Sequence, residues 1–298
     1  MDIHLPGIHL KATSADASVI FEPFGSSHYT KPICPVEQTF RCDYHTAKDF
    51  HPKGLKVVLS GESFEDIEIP YRWQILRDGK HTGILIDFFD DPQFQKAGGI
   101  IDFQNHIIGV TLVPHKNATH PVANDPLFQP FGSILMVVLA HHAGDIIIHA
   151  SGVKDQNTGR LFTAVSGTGK STMAGIWKEA GAEVINDDRL WLHKEKGQWT
   201  IFNTPMPYYA QRPLKGPLHE IFLLRQSPEN EIRKLSGANA AMRFMANGIQ
   251  HFYDKNMTGQ HLDQVMDIAL STIVATIIPY TMRTAGQEAL CIRNSRFS

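Results

Sequence analysis

The segment Ala164-Val165-Ser166-Gly167-Thr168-Gly169-Lys170-Ser171 has the residue types and spacing needed to hold the phosphates of a nucleoside triphosphate. Gly167 and Gly169 permit backbone angles that a Cβ would forbid, so successive N–H groups, from Ser166 through Gly169, can point inward at phosphate oxygens. A helix expected from Lys170 to Ala180, stopped by Gly181, adds its positive N-terminal end. In this spacing Lys170 reaches the β- and γ-phosphates and the Ser171 hydroxyl ligates Mg²⁺, while Thr172 donates to the α- or β-phosphate. The strict motif has Gly where this chain has Ala164, a small residue the turn should tolerate. A tight turn that happens to contain one lysine is the competing reading. The flanking elements favour the cradle, because a strand from Leu161 to Val165 leads into it and a helix leads out.

A second group of residues could move a proton. The strand expected over Glu183-Val184-Ile185-Asn186 ends in Asp187-Asp188. In a parallel βαβ unit its C-terminal end lies near the phosphate loop. One carboxylate could then hold Mg²⁺ and the other accept a proton from an attacking hydroxyl, and the metal charge would let both stay ionised. Asp-Asp is also common in solvated turns, and spacing alone does not separate the two readings. His149 lies in an apolar strand next to the one that feeds the loop, so it could approach the same point, although a strand histidine also fits a satisfied core or surface role. His115, His120, His141 and His142 show no metal-ligand spacing and read as surface or linker residues.

The elements that must position these groups follow from local pattern. Residues 1 to about 55 read as short strands and loops. Apolar runs at Leu55–Leu59, Ile84–Phe89 and Ile107–Leu112, separated by turn formers, predict an antiparallel β-rich region. Pro114 to Pro126 reads as a linker. Beyond it a helix is expected over Phe131–His142, ended by Gly144, then a hairpin of Asp145–Val153 with Leu161–Val165 around the turn Asp155–Gly159. Strands are expected at Trp199–Phe202 and Ile221–Leu224, helices around Ala238–Asn247 and Leu262–Ile278, and a last strand at Pro279–Arg283. This divides the chain into a β-rich region, 1–125, and a nucleotide-binding core, 126–298.

Composition narrows the class. The 298 residues are 42% hydrophobic and 19% charged with a formal net charge of −2, so there is material for a core and no basic character that would suit nucleic acid or an anionic membrane. Three cysteines without a CxxC pair fit a reducing cytoplasm. No signal peptide is read at Met1–Pro6, and the apolar run Ile134–Ala140 is far short of a membrane span.

Taken together, Ile148-His149-Ala150-Ser151-Gly152-Val153, the phosphate loop and Asn186-Asp187-Asp188-Arg189 resemble the HPr kinase/phosphorylase and phosphoenolpyruvate carboxykinase-like superfamily. Asn203-Thr204-Pro205 and Pro217 to Gln226 are similar to its HPr-kinase-related members, including the stand-alone kinases encoded with lasso-peptide biosynthesis. The resemblance covers roughly residues 130 to 290. It implies an α/β fold: a carboxykinase-like P-loop core, with a mixed β-sheet flanked by helices. It further implies an ATP-utilising kinase, with GTP the alternative donor and Mg²⁺ the metal. Carried onto this chain, it makes Asp188 the general base, His149 its orienting partner and Asp187 the metal-side acid, the two Asp roles being exchangeable. Arg212 becomes the cation facing the transferred phosphoryl group. The acceptor would be a hydroxyl of a protein, a peptide or a small molecule, and like subunits often assemble in such kinases. The C-terminal signature used for dephosphorylation is not found. A nucleotide-binding regulator without phosphotransfer is the alternative from another class. A decarboxylating carboxykinase is a third reading, weakened by the short chain and the lack of that group's metal-binding Lys and His set.

Overall fold

The computed structural model describes residues 1–14, 16–63, 69–118, 121–225, 231–249 and 255–278. The protein is mixed α/β and divides into two compact units. Among the described residues, the first comprises 1–139 and 205–212; the second comprises 140–204, 213–249 and 255–278.

The first unit carries β1 (Asp2–Leu5), β2 (Ile8–Ser14), β3 (Val19–Phe21), β4 (Gln38–Thr46), β5 (Lys56–Glu62), β6 (Tyr71–Arg77), β7 (His81–Phe88), β8 (Phe94–Asp102), β9 (Ile107–Pro114) and β10 (Val122–Asn124). Eight of these form one sheet in the order β1-β2-β4-β9-β8-β7-β6-β5. The meander from β5 to β9 is antiparallel, as the alternating runs predict. The sheet as a whole is not, since β2 and β9 both run parallel to β4. Parallel neighbours need long crossovers, and here one crossover is the whole β5–β8 meander, which no local pattern reveals. The segment 114–126, expected as a linker, instead holds β10, which pairs with β3. It is tied down by Asp125, whose carboxylate accepts hydrogen bonds from the N–H groups of Phe24, Ser26 and Leu127.

Helix α1 (Phe131–Ala143) leads into the second unit. There follow β11 (Ile146–Asp155), β12 (Thr158–Thr163), α2 (Lys170–Glu179), β13 (Glu183–Asn186), β14 (Arg189–Glu195), β15 (Gln198–Asn203), β16 (Lys215–Leu224), β17 (Glu231–Leu235), α3 (Gly237–Met245), α4 (Lys255–Ser271) and β18 (Ile273–Ile278). Strands β12, β11, β14, β15 and β16 form a closed circuit, because β16 pairs with β15 on one side and with β12 on the other. Strand alternation sorts the side chains into two cores. Leu161, Leu218, Ile221 and Leu223 join one with Ile146, Ile148, Leu190, Ile201 and residues of α3 and α4. Phe162, Phe222 and Leu224 face the other, where they meet Met173, Ala174 and Trp177 from the inner face of α2.

Two sequence expectations change in this unit. The helix expected over Leu262–Ile278 ends at Ser271, and Ile273–Ile278 is a strand parallel to β16. The apolar residues continue through the boundary, but β-branched Ile273, Val274, Thr276, Ile277 and Ile278 favour the extended chain. The strand expected at Pro279–Arg283 lies outside the described residues. His141, read as a surface or linker residue, instead packs its ring 5.7 Å from that of the buried His261. His120 lies outside the described residues.

Candidate functional site

The loop between β12 and α2 has the backbone that its glycines predict. Gly167 has φ 77° and Gly169 has φ 107°, both in the left-handed region that side chains with a Cβ avoid. Val165, Ser166 and Gly167 are exposed, as are Ser171 and Thr172 on the first turn of α2. Gly169 caps that helix without any side-chain hydrogen bond to its end. Its first N–H groups therefore remain available to an anion. Ala164, the departure from the strict motif, has a use here: its side chain packs into the core beneath α2, beside Met173 and Trp177. Thr168 turns inward and its hydroxyl donates to the Val165 carbonyl at 2.9 Å.

Lys170 is folded back against the loop. Its Nζ donates to the carbonyls of Ala164 (3.1 Å) and Val165 (3.3 Å), and the residue is only 6% exposed. Burial holds its pKa below the ordinary lysine value, while the negative charge of Asp188 works in the opposite direction. Among the described residues this ammonium is held by two neutral carbonyls and makes no direct ion pair with a carboxylate.

Strand β11 brings His149 and the Asp187-Asp188 step to the same end of the unit. It runs antiparallel to β12 on one side and to β13 and β14 on the other. Hence β12 and β13 run in the same direction with β11 between them, which is the βαβ arrangement expected except for this intervening strand. Their C-terminal ends, at Thr163 and Asn186, pair with Ala150 and Gly152 of β11. His149 pairs with Arg189, and its Nδ1 lies 3.0 Å from Asp188 Oδ1, with both side chains about half exposed. The hydrogen bond from His149 is the main reason that the Asp188 carboxyl sits below the usual carboxylate range; burial opposes it, and the charges of Arg189, His149 and Lys170 add to it. Asp187 is exposed. The second unit thus gathers His149, Lys170, Asp187, Asp188 and the loop Ser166–Thr172, whereas Arg212 is an exposed residue of the first unit.

Three supporting residues were not assigned roles from sequence. The Thr163 hydroxyl donates to the His149 carbonyl at 3.2 Å, and the Ser151 hydroxyl donates to the Asp187 carbonyl at 3.5 Å. Asn186 Oδ1 accepts the N–H groups of Asp188 (2.8 Å) and Arg189 (3.1 Å). An Asn followed by residues that leave a strand is the available signal for the last of these.

The donor set suits a hard divalent cation. Ser171 and Asp187 both expose oxygen atoms, the ligand type that magnesium prefers. Among the described residues no group of three or more His, Cys, Asp or Glu could hold a metal. A magnesium ion bound by one or two side chains together with substrate phosphates needs no such group. Among the same residues no helix is long and apolar enough to cross a membrane.

No protein-family model matches the sequence, and no curated protein does. Among solved structures, the HPr(Ser) kinase/phosphatase from Coxiella burnetii is similar at 13% identity and a TM-score of 0.31, over 50% of this chain and 94% of that one. At that score the likeness settles neither fold nor activity.

Proposed function

We propose that the chain is a magnesium- and ATP-dependent kinase that transfers the γ-phosphoryl group to a hydroxyl of a protein, a peptide or a small molecule. The observation that carries this reading is the His149–Asp188 pair, 3.0 Å apart and within electrostatic range of Lys170 beside the glycine-bearing loop. Lys170 leaves the Ala164 and Val165 carbonyls for the β- and γ-phosphates, an exchange favoured because phosphate supplies the anion that those carbonyls do not. Gly167, Gly169 and the first turn of α2 present N–H groups to the same oxygens. Asp188 takes the proton of the acceptor hydroxyl. His149 Nδ1 stays on the other carboxylate oxygen and fixes its direction. Magnesium, when held through Ser171 and Asp187, supplies charge neutralisation on the phosphates. The phosphoryl-facing role of Arg212, a cytoplasmic location, assembly of like subunits and GTP as alternative donor belong to the proposal through the sequence resemblance alone.

The test is a screen of peptide and metabolite acceptors with γ-labelled ATP. The wild type should label an acceptor, Lys170→Ala should label none, and Asp188→Asn should bind nucleotide without transfer. Full transfer by Asp188→Asn would remove the general base from this scheme. Nucleotide binding with no transfer to any acceptor would favour the regulator reading instead.

A further inference from the structure

Strands β13 and β14 lie end to end along one side of β11; β13 shifts by one residue between its Val184 and Asn186 pairings, and from Asn186 its register matches that of β14. Asn186 stands opposite Gly152 and Arg189 opposite His149. A regular ladder would therefore set Asp187 against Ser151 and Asp188 against Ala150. Both residues instead leave the strand. What remains of the ladder is the Ala150 N–H donating to the Asp188 carbonyl at 3.1 Å, with the Ser151 hydroxyl, at 3.5 Å, reaching toward the Asp187 carbonyl. Opening a strand in this way strips partners from backbone N–H groups, and an unsatisfied buried group costs about 1–3 kcal/mol. Here the side chain of Asn186, only 2% exposed, supplies an acceptor to the Asp188 N–H and accepts from the adjacent Arg189 N–H as well.

From this geometry, and resting on the kinase reading of the same site, we propose that Asn186 is a positioning residue that holds the strand open so that Asp187 and Asp188 face the phosphate loop as metal-side and proton-accepting groups. Asn suits the position because one oxygen can accept both N–H groups across the step. Ala would take this acceptor from the Asp188 N–H and favour reclosure of the ladder, drawing the carboxylates back along β11. Asp keeps the acceptor.

The experiment measures ADP binding to the full chain by calorimetry, with and without Mg²⁺, for the wild type, Asn186→Ala, Asn186→Ser and Asn186→Asp. Without metal all four should bind ADP alike, since the loop Ser166–Thr172 is untouched. Magnesium should tighten binding to the wild type and Asn186→Asp, while Asn186→Ala loses roughly tenfold of that tightening, the scale of effect seen when a group supporting a metal ligand is removed. Asn186→Ser, whose shorter side chain keeps an acceptor, should fall between them and serves if the Ala variant does not fold. A folded Asn186→Ala with the full magnesium effect overturns the proposal. So does a loss of ADP affinity that is equal with and without metal, which marks a purely structural role. A wild type that binds no ADP overturns the phosphate-loop reading itself, which is a separate outcome.

Discussion

Lowering the pH should destabilise the second unit through two histidines that have no part in the proposed chemistry. His141, at the end of α1, and His261, on α4, are packed together, and burial pushes both imidazoles down to about 4. In the unfolded chain each titrates near 6.5. Between these values the unfolded state binds more protons, so stability is full above pH 6.5 and falls as the pH drops toward 4. The loss for one such group is about 2 kcal/mol by pH 5 and about 3 kcal/mol once the pH lies below both values. Against a total stability of roughly 5–15 kcal/mol, that is a large fraction. Urea unfolding followed by tryptophan fluorescence is a suitable assay, because Trp177, Trp191 and Trp199 lie in the second unit and only Trp73 in the first. The midpoint should be level from pH 8 to 7 and then fall. His4, in the first unit, is also held below its ordinary value by burial, so the wild-type slope alone is not decisive. His261→Phe keeps a ring in the packing and removes the proton site, and it should abolish about half of the fall between pH 6.5 and 5. A variant with the wild-type slope would refute the reasoning, as would a wild-type midpoint that stays level down to pH 5.

The remaining predictions concern the site and what lies beneath it. Asp188→Asn and His149→Gln break a pair whose side chains are 40% and 44% exposed, so each should shift stability by less than about 1 kcal/mol. Phosphoryl transfer measured with labelled ATP should nevertheless fall by roughly 10²–10⁴-fold for Asp188→Asn. Gly167→Val places a β-branched residue at φ 77°, where a Cβ would meet nothing within 4 Å, so the expected cost is backbone strain of about 1–2 kcal/mol in a thermal melt, with weaker nucleotide binding. Arg160 is buried between Asp155 (3.5 Å) and Glu220 (2.6 Å) with its guanidinium over Trp177. Arg160→Met should cost about 3–5 kcal/mol because it takes the buried cation from between two buried carboxylates, and adding Asp155→Asn and Glu220→Gln should recover much of that in denaturant titrations.

What was legible in the sequence was local. The glycine-bearing loop, the hairpin before it and the helix after it can be read because glycine positions, one lysine and a change of period from strand to helix lie close together in the chain. The mixed pairing of the first sheet was not legible, since β4 meets β9 across more than fifty intervening residues and nothing local encodes a parallel neighbour. The boundary between α4 and β18 was lost for a different reason, a continuous apolar stretch in which only β-branching marks the change. His141 was misjudged because its burial depends on His261, which is remote in sequence. Asn186 was visible beside the acidic pair, but its use depends on β14 resuming the register that β13 had left.

That resumption explains why the candidate site is compact although its residues are far apart in the chain. Strand β11 acts as a common ruler: its pairing with β12 fixes where the glycine-bearing loop begins, and its pairing with β13 and β14 fixes where Asp187 and Asp188 emerge. Side chains alternate faces along a strand, so a slip of one residue between β11 and β14 would turn His149 and the residues beside Asp188 to opposite faces. Such a slip is opposed by Ile146, Ile148, Leu190 and Leu192, whose burial in one core requires the observed register. At about 1.5–3 kcal/mol for each buried aliphatic side chain, the core holds that register far more firmly than the half-exposed His149–Asp188 contact could. The geometry of the His149–Asp188 pair is thus set by apolar packing beneath it, and the pair does not carry the fold.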